Sequence, residues 1–224
     1  MNKRIALIFG STGLVGNLLL EELIQSETYS AIKIFVRQTT GFSDPKVKEI
    51  FIDFSNPEIF SAQITGNDLF ICLGSTIKKA GSVANLEKID RDLPIQVASI
   101  ASDYGVEKVV VVSSVGANPG SGNYYLRIKG EMEKGILQLN FKQIAIVRPS
   151  ILLGERKEKR TGEMVGKFVM KTFNPLLNGK LRKYRAIHGR DVARAMISAL
   201  QKDTSISIYE SVDLQRLADQ YIIT

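Results

Sequence analysis

The sequence predicts an α/β fold in which a doubly wound parallel sheet is covered by helices on both faces. Three observations predict it: short apolar runs rich in Ile and Val recur along the chain, helical patterns separate them, and turn residues bound each run. Strands that are buried on both faces have this composition. Strands that alternate with helices imply right-handed crossovers, and therefore parallel pairing.

The elements follow from these patterns in chain order. The predicted strands are the runs Arg4 to Phe9, Ile32 to Val36, Glu49 to Asp53, Asp68 to Leu73, Lys108 to Ser113 and Gln143 to Val147. The predicted helices are Leu14 to Gln25, Val83 to Tyr104, Tyr124 to Leu139, a segment near Gly162 to Thr172, and Arg190 to Leu200. No repeat or linker divides the pattern, so we expect one domain over residues 1–224, with a small substrate-facing region at about 149–189.

Composition excludes several classes of protein. The chain has one cysteine, Cys72, which we interpret as a buried strand residue; a disulfide within the chain is impossible and a zinc site is not expected. No apolar run approaches the roughly 20 residues that a membrane-spanning helix needs. We therefore expect no membrane span. Lys3 and Arg4 precede an apolar run, as in a signal peptide, but glycines break the run and Glu21 and Glu22 follow soon after, so we expect a cytoplasmic location.

The formal net charge of +7 is concentrated in two segments, residues 156–160 and 180–185. Charge runs usually form a solvated face, and here they also fit the rim of a site for an anionic substrate. No known nucleic-acid-binding motif is present, so specific nucleic-acid binding is not expected.

Three glycines, Gly10, Gly13 and Gly16, lie where the first strand must turn into the first helix. A side chain at the first would obstruct the turn, one at the second would hold a diphosphate away from the backbone, and one at the third would push the helix from the sheet. The freed amides at the helix N-terminus can then bind the diphosphate. The turn predicts a Rossmann-type dinucleotide site, the alternative being a tight turn with no ligand. Its residues are Gly10, Ser11, Thr12, Gly13, Leu14, Val15 and Gly16.

The end of the second strand indicates which dinucleotide is bound. An acid there would bind the 2′-hydroxyl of NAD, whereas an arginine would accept the 2′-phosphate of NADP. The sequence has Arg37 at this point and no acid before Asp44, which predicts that NADPH is preferred over NADH. The alternative is that Arg37 simply ends the strand in solvent. Further cofactor-contacting candidates end the third, fourth and fifth strands: Asp53, Phe54, Leu73, Gly74, Ser75 and Ser113.

The pattern Y-x-x-x-K occurs three times, as Tyr29/Lys33, Tyr104/Lys108 and Tyr125/Lys129. Tyr29 leads into the second strand, and Gly105 ends the helix between Tyr104 and Lys108. Only the last pair is therefore predicted to share a helix face, where residues four apart are neighbours. That helix follows the strand that ends in Ser113 and Ser114.

These side chains suit hydride transfer coupled to proton transfer. A serine hydroxyl polarises a carbonyl, and a tyrosine phenol exchanges a proton with it. A free tyrosine, with a pKa near ~10, is a poor base at neutral pH, but a neighbouring lysine favours its ionised form. The alternative is that Tyr125 packs in the fold while Lys129 is a surface lysine.

With these residues in order, the sequence resembles the short-chain dehydrogenase/reductase superfamily, and within it the atypical members similar to the Tat-interacting oxidoreductase-like proteins. The most specific matches are Ser114-Val-Gly-Ala-Asn-Pro and Tyr125-Leu-Arg-Ile-Lys129-Gly-Glu131. The segments Val147 to Gly154 and Ile187 to Ala193 extend the resemblance over nearly the whole chain.

The resemblance implies that Ser114 is the active-site hydroxyl and that Lys129 also contacts the nicotinamide ribose. It further implies that Pro149 and Leu152 line the nicotinamide pocket. One departure is that Asp90 stands where many relatives carry the asparagine of the proton relay. His188, the single histidine, is interpreted as structural because it has no serine or cysteine partner in a nucleophile motif.

The function expected from the sequence is that of an NADP-dependent oxidoreductase acting on a small carbonyl or alcohol. Two alternatives stay open. One is a protein that binds NADP(H) and reports redox state without turnover, and the other is an epimerase or dehydratase of nucleotide-linked sugars.

Overall fold

The computed structural model describes residues 3–154 and 179–222. The strands of the described part are β1 Arg4–Phe9, β2 Tyr29–Val36, β3 Val47–Phe51, β4 Asp68–Ile71, β5 Lys108–Val112, β6 Gln143–Arg148, β7 Leu152–Leu153, β8 Ile187–His188 and β9 Ile206–Glu210. Its α-helices are α1 Leu14–Gln25, α2 Glu58–Ser61, α3 Ile77–Ala80, α4 Val83–Glu87, α5 Leu93–Asp103, α6 Tyr124–Ile136, α7 Gly189–Leu200 and α8 Ser211–Asp219. A π-helical turn, Lys88–Asp92, joins α4 to α5, and a 3-10 helix spans Gly179–Tyr184.

The main sheet has seven strands in the order β3-β2-β1-β4-β5-β6-β9, and every neighbouring pair is parallel. Helices α1, α7 and α8 pack on one face, and α2, α5 and α6 pack on the other. This arrangement confirms the predicted doubly wound sheet. The chain order reverses between β1 and β4, which creates the crevice where such folds bind ligands.

Two predicted strands begin at different residues, and the ends of several others shift by one or two residues. Strand β2 begins at Tyr29, three residues before the predicted start, because the Tyr29 ring is buried and its hydroxyl donates a 2.9 Å hydrogen bond to Asp68. Arg4 donates two more hydrogen bonds of 2.6 Å to the same buried carboxylate. Strand β3 spans residues 47–51 rather than 49–53, so Asp53 lies in the following loop.

The long helix predicted from Val83 to Tyr104 is divided by the π-helical turn. Pro94, near the start of α5, has no amide proton to donate to the carbonyl of Asp90 four residues earlier. The regular hydrogen-bond pattern is therefore interrupted at the proline. Before the proline, each backbone hydrogen bond spans one more residue than in an α-helix, which widens the helix locally.

The sequence patterns missed β9 and α8, at the end of the described chain. Strand β9 lies at the sheet edge, and its Ile206 and Ile208 side chains are exposed. Its alternating polar and apolar residues differ from the continuous apolar runs that predicted the other strands. The predicted helix near Gly162 to Thr172 and the basic segment 156–160 lie outside the described residues.

The interpretation of Cys72 as a buried strand residue is wrong. Strand β4 ends one residue before it, and its side chain is partly exposed. In residues 3–154 and 179–222, no helix combines the length and apolar character needed to cross a membrane.

Candidate functional site

The candidate site lies at the carboxyl edge of the sheet, where consecutive strands deliver their polar residues. The glycine turn follows β1, and α6 begins beside the end of β5. Loops after the other strands contribute Arg37, Leu73, Gly74, Ser75, Ser113, Ser114 and Pro149. The parallel pairing thus brings to one edge most of the residues that the sequence singled out.

Two glycines of the turn are required by backbone packing. Gly10 has φ +88°, and a Cβ there would lie 2.6 Å from the carbonyl oxygen of Cys72. A Cβ on Gly16 would lie 2.1 Å from the carbonyl oxygen of Gly10. Gly13 differs, since its Cβ would lie 3.4 Å from the same oxygen, an ordinary contact. The described fold therefore does not explain why position 13 lacks a side chain.

The polar groups around the turn fit a bound diphosphate. The hydroxyl of Ser11 is buried and has no hydrogen-bond partner in the described part of the chain. Gly13 caps α1 without a side-chain acceptor for the amides of the first helical turn. Free amides at a helix N-terminus and an unpaired hydroxyl together form a site for an anion.

Arg37 directly follows β2 and is exposed. No carboxylate among residues 3–154 and 179–222 forms an ion pair with it. Asp53 accepts hydrogen bonds from the amide and hydroxyl of Ser55, and these lower the pKa of its carboxyl group. Phe54 packs edge-on against Phe60 with ring centroids 6.1 Å apart, so it contributes to the core cluster. That both residues contact the cofactor stays a prediction.

A buried ion pair lies beneath the loop that follows β4. Lys129 Nζ is 2.9 Å from Asp90 Oδ1. Both side chains are buried, since the exposed fraction is 3% for Lys129 and 1% for Asp90. The second oxygen of Asp90 accepts a 2.8 Å hydrogen bond from the amide of Ser75. Because a Cβ on Gly74 would lie 3.3 Å from Asp90, the loop passes directly over the pair.

This environment keeps Lys129 charged. Burial lowers its pKa, but the facing Tyr125, Asp90 and Glu133 raise it by more, so the net pKa lies above the ordinary lysine value. Lys129 is therefore an ammonium at neutral pH, and the alternative interpretation of it as a surface lysine is wrong. Tyr125 is 38% exposed, so its phenol is accessible rather than enclosed in the core.

Of the three Y-x-x-x-K pairs, only Tyr125 and Lys129 lie on one helix, α6. Tyr29 and Lys33 belong to β2, whereas Tyr104 ends α5 and Lys108 begins β5. Tyr125 and Lys129 are four residues apart and therefore share a face of α6.

Glu133 continues that face of α6 and binds two further residues. It accepts a 2.5 Å hydrogen bond from the Ser113 hydroxyl, and hydrogen bonds of 2.8 and 2.5 Å from the Arg148 guanidinium. The other guanidinium nitrogen of Arg148 lies 3.8 Å from Glu210. These contacts join the ends of β5, β6 and β9 to α6. Sequence reasoning missed Glu133 and Arg148, although the spacing of Glu133 from Lys129 was a usable signal.

Ser114 differs from Ser113 because its hydroxyl makes no strong hydrogen bond within the described chain. Its closest acceptor in the described chain is the carbonyl of Val115, at 3.5 Å, a weak contact. Pro149 is buried, and its carbonyl accepts a hydrogen bond from the amide of Val115. The loop after β6 is thereby held beside Ser114.

The small sheet of β7 and β8 covers the start of α1. Leu152 in β7 is paired with Ile187 in β8 and packs against the core. A Cβ on Gly154 would lie 2.8 Å from Leu14. His188 caps α7 with an exposed side chain that makes no capping hydrogen bond. In the second basic segment, Lys183 lies 3.5 Å from Glu210.

The fold and the glycine turn define a class of proteins that bind a dinucleotide at the carboxyl edge of a parallel sheet. A family model described as NAD(P)H-binding matches residues 10–203. The chain therefore belongs to the NAD(P)H-binding family, and its relatives place it among the atypical short-chain dehydrogenases/reductases.

Two relatives illustrate this membership, and one solved structure illustrates the fold. The mitochondrial protein FMP52 of Candida albicans is 32% identical over 95% of this chain and 97% of its own length. Protein HTATIP2 of Rattus norvegicus is 30% identical over 89% of this chain and 82% of its own. The UDP-N-acetylglucosamine 4-epimerase of Methanobrevibacter ruminantium superposes with a TM-score of 0.71 at 14% identity, covering 98% of this chain and 81% of that one. The last similarity concerns the fold alone.

The expectation of a cytoplasmic location is wrong by this comparison. The FMP52 proteins of Candida albicans, Candida glabrata and Saccharomyces cerevisiae are named as mitochondrial proteins.

We expect Gly13→Ala to weaken NADPH binding about tenfold or more while leaving the unfolding free energy nearly unchanged. The added methyl group meets no close neighbour in the fold but occupies the approach of a diphosphate to the backbone. Gly16→Ala is the matched variant, and it should lower the unfolding free energy by at least about 2 kcal/mol because it collides with backbone. Calorimetry and denaturation followed by circular dichroism measure both. Unchanged NADPH affinity in Gly13→Ala would contradict the assigned turn.

We expect Asp90→Ala to lower the unfolding free energy by about 3–5 kcal/mol, because it leaves a buried ammonium without its partner. The double variant Asp90→Leu/Lys129→Met should lose less than the single variant, since it buries no charge. Glu107→Ala, which breaks the exposed pair with Lys142, is the control and should cost little. Urea denaturation followed by circular dichroism measures all three, and the chain has no tryptophan to report instead. Equal losses in the single and double variants would show that the charge pair is not the cause.

Proposed function

We propose that the protein is an NADP(H)-dependent oxidoreductase that interconverts a small carbonyl compound and its alcohol. The observation that supports this function most directly is the buried Lys129 ammonium on the same face of α6 as the accessible Tyr125. Both lie at the sheet edge that carries the glycine turn, and a buried charged group beside a titratable side chain in a cleft is typical of an active site.

Each catalytic candidate has one task. The dinucleotide, when bound, supplies or accepts the hydride. Tyr125 exchanges the proton of its phenol with the substrate oxygen, and the Lys129 ammonium stabilises the resulting phenolate. The Ser114 hydroxyl donates a hydrogen bond to the same substrate oxygen and so polarises the carbonyl group.

The contacts of the two serines favour Ser114 for this task. The Ser113 hydroxyl already donates a 2.5 Å hydrogen bond to Glu133. If that hydroxyl turned toward a substrate, the buried carboxylate would lose one of its hydrogen-bond donors. Ser114 loses only a 3.5 Å contact when it turns. Ser113 therefore holds the end of β5 in place, while Ser114 contacts the substrate.

The proposed cofactor contacts extend across the sheet edge. The glycine turn, residues 10–16, binds the diphosphate through the free amides of the first turn of α1. Arg37 pairs with the 2′-phosphate, for which its exposed position after β2 is suited. Lys129 contacts the nicotinamide ribose. The remaining proposed contacts are Asp53, Phe54, Leu73, Gly74, Ser75, Ser113, Tyr125, Pro149 and Leu152.

One observation favours a second function, cofactor binding without turnover. The carboxylate of Asp90 offsets the charge of Lys129 at 2.9 Å, which reduces the electrostatic support available to a phenolate. A protein that holds NADP(H) and signals its redox state to a partner would tolerate this arrangement. Turnover of any carbonyl substrate distinguishes the two functions.

We expect the protein to bind NADPH at least several-fold more tightly than NADH at low salt, and Arg37→Ala to remove most of the difference. A guanidinium paired with a phosphate gains about tenfold in affinity or more, and NADH has no 2′-phosphate. Arg216→Ala, which removes the same charge from the exposed face of α8, is the control. Titration calorimetry with both cofactors measures the ratio. Equal affinities of the unmodified protein for NADPH and NADH would refute the preference.

We expect Tyr125→Phe to keep the fold and the NADPH affinity but to lose about 10²- to 10⁴-fold in turnover, since the proton is needed chiefly in the transition state. Lys129→Ala should lose cofactor affinity as well. Tyr104→Phe alters an exposed tyrosine outside the site and serves as the control. NADPH oxidation with a panel of aldehydes, ketones and quinones is the assay. Turnover by Tyr125→Phe at the unmodified rate would remove Tyr125 from the mechanism.

A further inference from the structure

Glu49, on the edge strand β3, binds the loop that carries Arg37. Its Oε2 accepts a 2.9 Å hydrogen bond from the Thr39 hydroxyl. Its Oε1 accepts a 2.9 Å hydrogen bond from the Thr40 amide and a further one from the Thr40 hydroxyl. A single carboxylate thus holds three donors from two successive loop residues.

The strand register shows what these hydrogen bonds do to the loop. Val36, the last residue of β2, is paired with Phe51, whereas Glu49 is paired with Ile34, nearer the middle of β2. Thr40 lies beside Glu49, so the chain turns back after Val36 and returns along β3. Arg37 and Gln38 therefore form the apex of this turn, at the carboxyl edge of the sheet.

The two threonines extend the order imposed by Glu49 further along the loop. The Thr39 hydroxyl accepts a hydrogen bond from the amide of Gly41, and the Thr40 hydroxyl accepts one from the amide of Phe42. The hydrogen bonds from Thr40, above all, lower the pKa of Glu49, which is therefore ionised at neutral pH. Residues 39–42 are therefore held, directly or through the two threonines, by one side chain.

We propose that Glu49 is a positioning residue for cofactor selection: by holding residues 39–42, directly after Arg37 and Gln38, it presents Arg37 to the 2′-phosphate of NADPH. This inference rests on the proposed NADPH preference and adds the residue through which the preference is established. Glu49 belongs to neither the glycine turn nor the catalytic group, and it acts on the position of Arg37 through its hydrogen bonds to Thr39 and Thr40. Its contribution is to order the loop before binding, which removes the entropic cost of ordering it during binding.

Glu49 also carries a negative charge, which by itself would disfavour a bound phosphate. The two effects have opposite signs, so substitution separates them. In Glu49→Gln the amide oxygen can accept both hydrogen bonds from Thr40, and the amide nitrogen can donate to the Thr39 hydroxyl. This variant removes the charge and keeps the loop, whereas Glu49→Ala removes both.

The experiment is titration calorimetry of the full chain with NADPH and with NADH. Glu49→Ala should weaken NADPH binding about five- to tenfold, the size of one or two lost hydrogen bonds, and change NADH binding less than about twofold. Glu49→Gln should retain the NADPH affinity of the unmodified protein within about twofold. Glu107→Ala is the control, because it removes the same charge directly before β5, at the amino ends of the strands and away from Arg37. It should leave both affinities unchanged.

A double-mutant cycle tests whether Glu49 acts through Arg37. In an Arg37→Ala background, Glu49→Ala should produce no further change in the ratio of NADPH to NADH affinity. Tighter NADPH binding by both Glu49 variants would overturn the inference in favour of charge repulsion. An unchanged ratio in Glu49→Ala, in a protein that does prefer NADPH, would overturn the inference and leave the proposed function intact. Equal affinities in the unmodified protein would overturn the proposed preference and this inference together.

Discussion

The close approach of α1 to the end of β1 is the constraint on which the rest of the site depends. A Cβ on Gly16 would lie 2.1 Å from the carbonyl oxygen of Gly10, and one on Gly10 would lie 2.6 Å from that of Cys72. Helix α1 can begin where it does only because both positions are glycine. That contact directs the amides of the first helical turn to the crevice between β1 and β4, where the strand order reverses.

Helix α6 brings charge into the other side of the crevice. Lys129 and Glu133 are both buried, and each is paired, with Asp90 and with Arg148 respectively. A buried pair is weak evidence for stability, because desolvation of both groups offsets much of their attraction. Four charged side chains around one helix are better explained by a requirement of the site. One pair fixes the ammonium beside Tyr125, and the other holds the ends of three strands around Ser113 and Ser114.

The π-helical turn before α5 connects the loop after β4 to α6. Pro94 interrupts the regular helix, and Asp90 lies in the widened turn, with its carboxylate between the Ser75 amide and the Lys129 ammonium. A regular helix over residues 83–104 would change the direction of the Asp90 side chain, because each residue would be rotated relative to the sheet. The loop after β4 is therefore coupled to α6 through a local irregularity that a proline imposes.

The sequence by itself determined the parallel sheet, the glycine turn and the helix that carries Tyr125 and Lys129. Each of these depends on local patterns: continuous apolar runs for β1, β4 and β5, glycine spacing for the turn, and four-residue spacing for the helix face. Only the tertiary structure decided that Lys129 is buried against Asp90, that Ser113 is committed to Glu133, and that Glu49 holds the loop of Arg37. These contacts join residues 9 to 39 positions apart, on different elements. Strand β9 also needed the tertiary structure, because an exposed edge strand lacks the apolar pattern that burial on both faces imposes. Residue spacing along the chain reports the face of a single element, whereas a contact between elements depends on how the whole sheet places them side by side.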